Sequence, residues 1–256
     1  MIRSREAGPG KPIDVKATYG FFSFTEVTDP AEHRSYNEWH QLDHLPEQFP
    51  LPGIVHGQRW VSTPACRSAR LVSAADLDPI HYVTCYLMAE PIRRTLEDFF
   101  DLGAELHRLD RFHLHRRAHL TGPFGVLDTA ASARVLVSAA AVPYRAHRGI
   151  YCVVEELVAG ESRDSGERTE YESALLAVPG VAGLWTFGTD PELMSRRWTA
   201  GTRRITVCWL DEPPLTVAEG LAPLVSSQFD QRDAASRVVF AGPFETIKPW
   251  EWDWFD

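Results

Sequence analysis

Tyr36, Trp39, His40, Asp43 and His44 recur at three- and four-residue spacing within YNEWHQLDHLPEQFPLPG, residues 36–53. On a helix this spacing stacks side chains on successive turns, so His40 and His44 share one face and lie close together. Imidazole is the side chain whose ordinary pKa lies nearest neutrality, and such a pair beside aromatic bulk can take up and return protons. His44, His40 and Tyr36 are therefore the candidate catalytic residues. Asp43 adjoins His44 but points about 100° away around the helix, so its sequence position alone does not let it orient either ring. Two other readings stay open. The histidines can be half-buried groups with structural hydrogen bonds, or they can bind a metal. Zinc-protease helices share the i,i+4 spacing, but they carry Glu after the first His, where Gln41 stands, and a third ligand must come from elsewhere.

These residues need a helix to carry them and strands to face them. Asp29-Pro30-Ala31-Glu32 supplies an N-cap, a proline at the first helical position and a carboxylate in the first turn, a strong helix start. The helix is expected to yield near Pro46, which lacks an amide proton, before a Leu51-Pro52-Gly53 turn. Aromatic and β-branched runs predict strands at Ala17–Val27, Ile54–Ser62, Ile80–Met88 and Phe112–Leu120, with a second helix over Pro91–Leu109. Period-2 alternation groups Ile54, His56, Gln58 and Trp60 on one face of the second strand, and Ile80, Tyr82, Thr84 and Tyr86 on one face of the third. On the fourth, His113, His115, Arg117 and His119 share a face opposite Phe112, Leu114, Arg116 and Ala118. Faces of this kind would give a pocket an aromatic wall with polar points, suited to a planar oxygenated substrate. Trp39, His56, Trp60, Tyr82, Tyr86 and His115 are the candidate substrate contacts, although the His113 face can equally look to solvent.

The second half of the chain echoes the first. Tyr19-Gly20-Phe21-Phe22, Leu51-Pro52-Gly53, Val83-Thr84-Cys85-Tyr86-Leu87 and Thr121-Gly122-Pro123-Phe124 answer to Arg148-Gly149-Ile150-Tyr151, Val178-Pro179-Gly180, Thr206-Val207-Cys208-Trp209-Leu210 and Ala241-Gly242-Pro243-Phe244. The offsets are 129, 127, 123 and 120 residues, in the same order and steadily shrinking. The expected organisation is a flexible leader (1–15), a first repeat (16–124), a linker (125–148), a second repeat (149–247) and a tail (248–256) bearing Trp250, Trp252 and Trp254. That tail is expected to dock on its own domain or on a neighbouring subunit. In the second repeat, Arg168–Ala177 and Val217–Gln228 read as helices, and Gly149–Leu157, Val181–Gly188, Arg204–Leu210 and Arg237–Ile247 as strands. Its first helix has Glu170-Tyr171-Glu172 and no histidine, so the chemistry is expected in the first repeat alone. The fold class is α+β: tandem ferredoxin-like βαββαβ units, each an antiparallel sheet with both helices on one face. The bare sheet faces must then be covered, either by each other or by another chain.

Trp39-His40-Gln41-Leu42-Asp43-His44-Leu45-Pro46, followed by Leu51-Pro52-Gly53 and a strand, resembles the dimeric α+β barrel superfamily, in particular its EthD-like branch. The Gly122-Pro123-Phe124 ending also suits it. The resemblance implies two ferredoxin-like units packed sheet to sheet, with a pocket between sheet and helices. It also implies that His44 matches the family's helix histidine, while His40 is an addition. Members include muconolactone isomerases, aromatic polyketide cyclases, cofactor-free monooxygenases and haem proteins. The leading expectation is a cofactor-independent isomerase, cyclase, lyase or monooxygenase acting on a small aromatic or polyketide-like carbonyl compound. The alternatives are a haem-binding or haem-degrading protein, with His107 or His113 as formal axial ligands, and a non-catalytic binding or assembly protein.

The bulk composition agrees with a small-molecule role. Among 256 residues the net charge is −9, which argues against a nucleic-acid partner because phosphate binding needs concentrated cations. No run of 18 apolar residues offers a membrane span. Cys66, Cys85, Cys152 and Cys208 lack metal-ligand spacing and read as buried free thiols of a cytoplasmic protein, with a homo-oligomer as a possible assembly.

Overall fold

The structure, a computed structural model, describes residues 17–157, 165–193, 202–228 and 236–256; the expected leader lies outside them. Strand β1 (Tyr19–Val27) leads through a 3-10 turn (Pro30–Glu32) into helix α1 (His33–Trp39). The Asp29 carboxylate caps that turn by accepting from the Ala31 amide at 3.0 Å, as its sequence position predicts. Pro46 does not stop the helix. The backbone widens into a π-helical turn over His40–His44, where the Leu45 amide reaches the His40 carbonyl, and α2 continues as Leu45–Gln48. Widening is the alternative to breaking when a proline cannot donate to the preceding turn.

Strand β2 (Ile54–Val61), the short helix α3 (Pro64–Ser68), the two-residue strand β3 (Val72–Ser73), β4 (Tyr82–Met88), α4 (Ile92–Arg108) and β5 (Arg116–Ala131) complete the first half. The second half contains β6 (Gly149–Leu157), α5 (Ser165–Ala177), β7 (Val181–Thr189), β8 (Arg203–Leu210), α6 (Pro214–Ser226) and β9 (Ser236–Thr246). Both halves have the same antiparallel order: β2-β4-β1-β5, then β7-β8-β6-β9. β5 pairs with β7 from Phe124↔Thr189 to Ala131↔Gly183, and β2 meets β9 at Trp60↔Thr246 and Val61↔Glu245, closing the barrel within one chain. Residues 125–131, expected in the linker, thus continue β5 and build the inter-half seam. Residues 112–115, expected at its start, precede the strand.

The barrel interior is solid with side chains. Phe22, Phe124, Phe187, Trp185, Phe240 and Phe244 meet there with Cys85 and Cys152, and Phe22 packs edge-on to Phe187 with centroids 4.9 Å apart. Small barrels are filled in this way, so a ligand must be sought outside the lumen. Outside the second half-sheet, Val153, Leu184, Cys208, Leu175 and Leu221 form a continuous apolar layer beneath α5 and α6. All four cysteines are buried free thiols. The tail docks on its own chain: Trp252 is buried with Val27, Tyr36, Val61 and Tyr82, and Phe255 stacks on His33 with centroids 4.0 Å apart. Trp250 stays exposed.

Candidate active site

A cavity of about 270 Å³ separates the first half-sheet from its helices. Its floor is Phe21, Ser23 and Thr25 of β1, Thr84 and Tyr86 of β4, and Arg116, Ala118 and Thr121 of β5. Tyr36, Trp39, His40, His44 and Gln48 form one wall; Phe99, Phe100 and Gly103 of α4, with Phe112, form the other. The π turn lies in this wall and carries both histidines, a placement that helix widening often has in functional sites.

The His40 and His44 ring centroids lie 5.1 Å apart, with the rings nearly perpendicular. His44 stacks on Trp39 at 4.7 Å and meets Phe112 at 5.2 Å. His40 Nε2 lies 3.5 Å from Thr84 Oγ1, the long limit of a hydrogen bond. The Nδ1 atoms of both histidines, the Tyr86 hydroxyl and Gln48 Oε1 are buried without hydrogen-bond partners among the described residues. Polar groups in that condition are costly unless something in the cavity engages them. Trp39 is fixed by donating from Nε1 to the Arg111 carbonyl at 2.8 Å. Asp43 and Glu47 turn outward onto Arg111 at 2.7 and 2.6 Å, so Asp43 orients neither imidazole.

The electrostatics favour neutral imidazoles. Burial, followed by the fields of Arg116 and Arg59, depresses His44 to about 3. His40 lies well below its ordinary value through burial, Arg59 and His44. Arg59 is 2% exposed, donates to Asn37 Oδ1 at 2.9 Å and lies over the Tyr36 and Tyr82 rings. Arg116 lies against Trp39 and Phe112, with Cζ 5.5 and 4.9 Å from their centroids. Neither arginine has a carboxylate within ion-pair distance among the described residues.

The structure therefore brings Tyr36, Trp39, His40, His44 and Tyr86 to one cavity, and it places the remaining expected contacts elsewhere. Tyr82 belongs to a layer behind the wall, where its hydroxyl lies 2.9 Å from both His33 Nδ1 and Asn37 Nδ2. Trp60 points into the barrel and donates to His147 Nε2 at 3.0 Å. His56 shares that side of β2, beside Gln58 and Tyr144. His115 is exposed just before β5. For His56 and Trp60 the physical reason is parity, since alternation groups residues by face but does not say which face meets the helices; Tyr82 shares the face of Thr84 and Tyr86 but lies farther along the strand. Arg59 and Arg116 lie on the faces opposite those chosen. The apolar companions of Arg116, Phe112 and Ala118, were the available cue. A β-bulge between Phe24 and Thr25 further shifts β5, bringing Ala118 and Thr121 onto the same floor.

The two formal axial ligands, His107 and His113, lie apart from the cavity that holds His40 and His44. His113 lies at 3.0 Å from Ser35 Oγ and pairs with Glu32 at 3.4 Å through Nε2, and it lines an open outer pocket together with His107, Phe112, Leu114 and Arg116. Among the described residues, no three His, Cys, Asp or Glu side chains are grouped to hold a metal, and no helix is long and apolar enough to cross a membrane.

Neither a protein-family profile nor a curated protein matches the sequence. Among solved structures, a chlorite dismutase-like protein superposes with a TM-score of 0.53 at 7% identity, over 91% of this chain and 96% of that chain. An anthrone oxidase-like protein superposes with a TM-score of 0.52 at 12% identity, over 92% and 93%. At such identities the likeness is one of fold, and it agrees with the strand order: the chain is an α+β barrel of the dimeric, ferredoxin-like kind, closed within a single polypeptide.

Proposed function

We propose that the first-half cavity is the active site of a cofactor-independent enzyme that moves a proton next to a carbonyl of a small aromatic or polyketide-like compound. The observation that carries this reading is the convergence of two imidazoles with unpartnered Nδ1 atoms, two tyrosines and a guanidinium on one aromatic cavity. His44 takes the proton from carbon, and the electron pair moves onto the carbonyl oxygen as an enolate. His40, Tyr36 and the Tyr86 hydroxyl are placed to hold that oxygen, and Arg116 offsets its charge. A base depressed to about 3 is weak in the free protein. It strengthens as the enolate develops beside it, because each negative charge nearby favours the imidazolium.

Isomerisation, cyclisation, a lyase step and cofactor-free oxygenation all begin this way. The EthD-like resemblance of residues 36–60 supports the assignment of His44, and the likeness to an anthrone oxidase-like protein suggests anthrones as the first compounds to assay. His44→Ala should abolish turnover of any accepted substrate while the near-ultraviolet circular dichroism stays native. Undiminished turnover by that variant would refute the proposal.

A further inference from the structure

Among the described residues, one cation and no carboxylate line the cavity. Arg116 lines it, Arg59 stands directly behind Tyr36, and none of its described lining residues is Asp or Glu. The acidic groups nearest in the fold are already committed: Asp43 and Glu47 to Arg111, Glu26 to His119, Glu32 to His113 and Ser35. Burying a guanidinium among rings without a counter-charge is expensive. Rings recover part of that cost through cation–π attraction, but only about 1–2 kcal/mol each.

We propose that the substrate is an aromatic compound bearing an anionic oxygen, a carboxylate or a phenolate, and that Arg116 receives that oxygen inside the cavity. Arg116 already touches Trp39 and Phe112, the same two rings that hold His44. An anion seated on Arg116 therefore lies beside His44 while its ring rests on Phe21, Phe99 and Phe100. The ligand supplies the missing charge, and the same charge offsets the two arginine fields that add to burial in disfavouring the protonated form of His44. Binding and activation of the base become one event. Other charged groups acting on His44 are His40, Asp43 and Arg111, and they are unchanged by the ligand.

This inference rests on the cavity being a ligand site, but its test reads binding and not turnover. Calorimetry on the full chain would compare 1-naphthoate with its neutral isostere 1-naphthamide. The visible absorbance of 4-nitrophenol would report whether it binds as the phenolate, with 4-nitroanisole as its neutral control. The expected result is that at least one anion binds about tenfold or more tightly than its isostere; the pair that shows this preference identifies the anionic group. Arg116→Gln should remove the preference while still binding the neutral partner, and Arg116→Lys should retain part of it. Equal binding of both members in both pairs, failure of all four compounds to bind, or a preference undiminished in Arg116→Gln would each overturn the assignment. Should the Gln variant fail to fold, the isostere comparison in the native chain and the Lys variant decide. A charge preference that depends on Arg116, in a protein whose His44→Ala variant keeps full turnover, would uphold the anion site and refute the acid/base reading.

Discussion

Replacing His44 with Gln should flatten the acid side of the stability curve by an amount that follows from its surroundings. In the folded chain His44 sits at about 3 because of burial, Arg116 and Arg59; in the unfolded chain it titrates near its ordinary value of about 6.5. A lowered folded value means that the unfolded chain binds the proton first. The stabilisation is therefore fully present above about pH 6.5 and is lost as pH falls toward 3, at about 1.4 kcal/mol per pH unit. Between pH 7.5 and 5, His44 alone should cost the native chain about 2 kcal/mol. Glutamine keeps a polar amide of similar reach and does not titrate. Urea unfolding of both chains at several pH values gives the difference directly, and the other depressed histidines, His33, His40, His56, His81, His113 and His147, cancel because both chains carry them. The gap in unfolding free energy should move by about 2 kcal/mol in favour of the variant on going from pH 7.5 to 5. Parallel curves would refute the reasoning, since they would mean that His44 is solvated or charge-paired when folded.

Two further outcomes test the surroundings of the site. Arg59→Met removes a buried cation that has no carboxylate partner, so thermal denaturation should show a melting temperature unchanged or raised, while NMR titration shows the His44 value rising. Trp252→Ala should cost about 3 kcal/mol in chemical denaturation because Trp252 is buried against Tyr36 and Tyr82, whereas Trp250→Ala, at a residue 72% exposed, should cost under about 0.5 kcal/mol.

The sequence showed most of the architecture because local patterns determine it. Asp29-Pro30 starts a helix by backbone chemistry alone, and strand Gly149–Leu157 has the bounds expected for it. The helical face of Tyr36, Trp39, His40 and His44 was legible for the same reason, since 3.6-residue periodicity fixes which side chains travel together. The strand contribution was not. Nothing local distinguishes the lumen side of β2 from its helix side, because both are buried: Trp60 fills the barrel and Arg59 lies under α1. Arg116 was missed because a charged residue in a strand ordinarily faces water, and only the tertiary fold shows it among rings. The inter-half seam escaped notice because residues 125–131 carry Asp128 and Thr129, a composition that reads as loop until β7 is seen beside it.

The two seams of the barrel are unequal, and that inequality separates its mechanics from its chemistry. β5 and β7 share a long ladder ending near the covalent connection, whereas β2 and β9 touch at two residue pairs, Trp60↔Thr246 and Val61↔Glu245. Farther along β9, Val72↔Ala241 and Ser73↔Phe240 close the remaining edge with an excursion of the chain itself. The molecule thus has a hinge on one side and a latch on the other. Springing the latch would part the aromatic lumen while β1, β4 and β5 remain zipped together under α1 and α4. The sheet floor of the pocket that holds His40 and His44 can keep its shape through such a breath, whereas its wall residue Tyr36, packed against Trp252 of the tail that follows β9, would feel it.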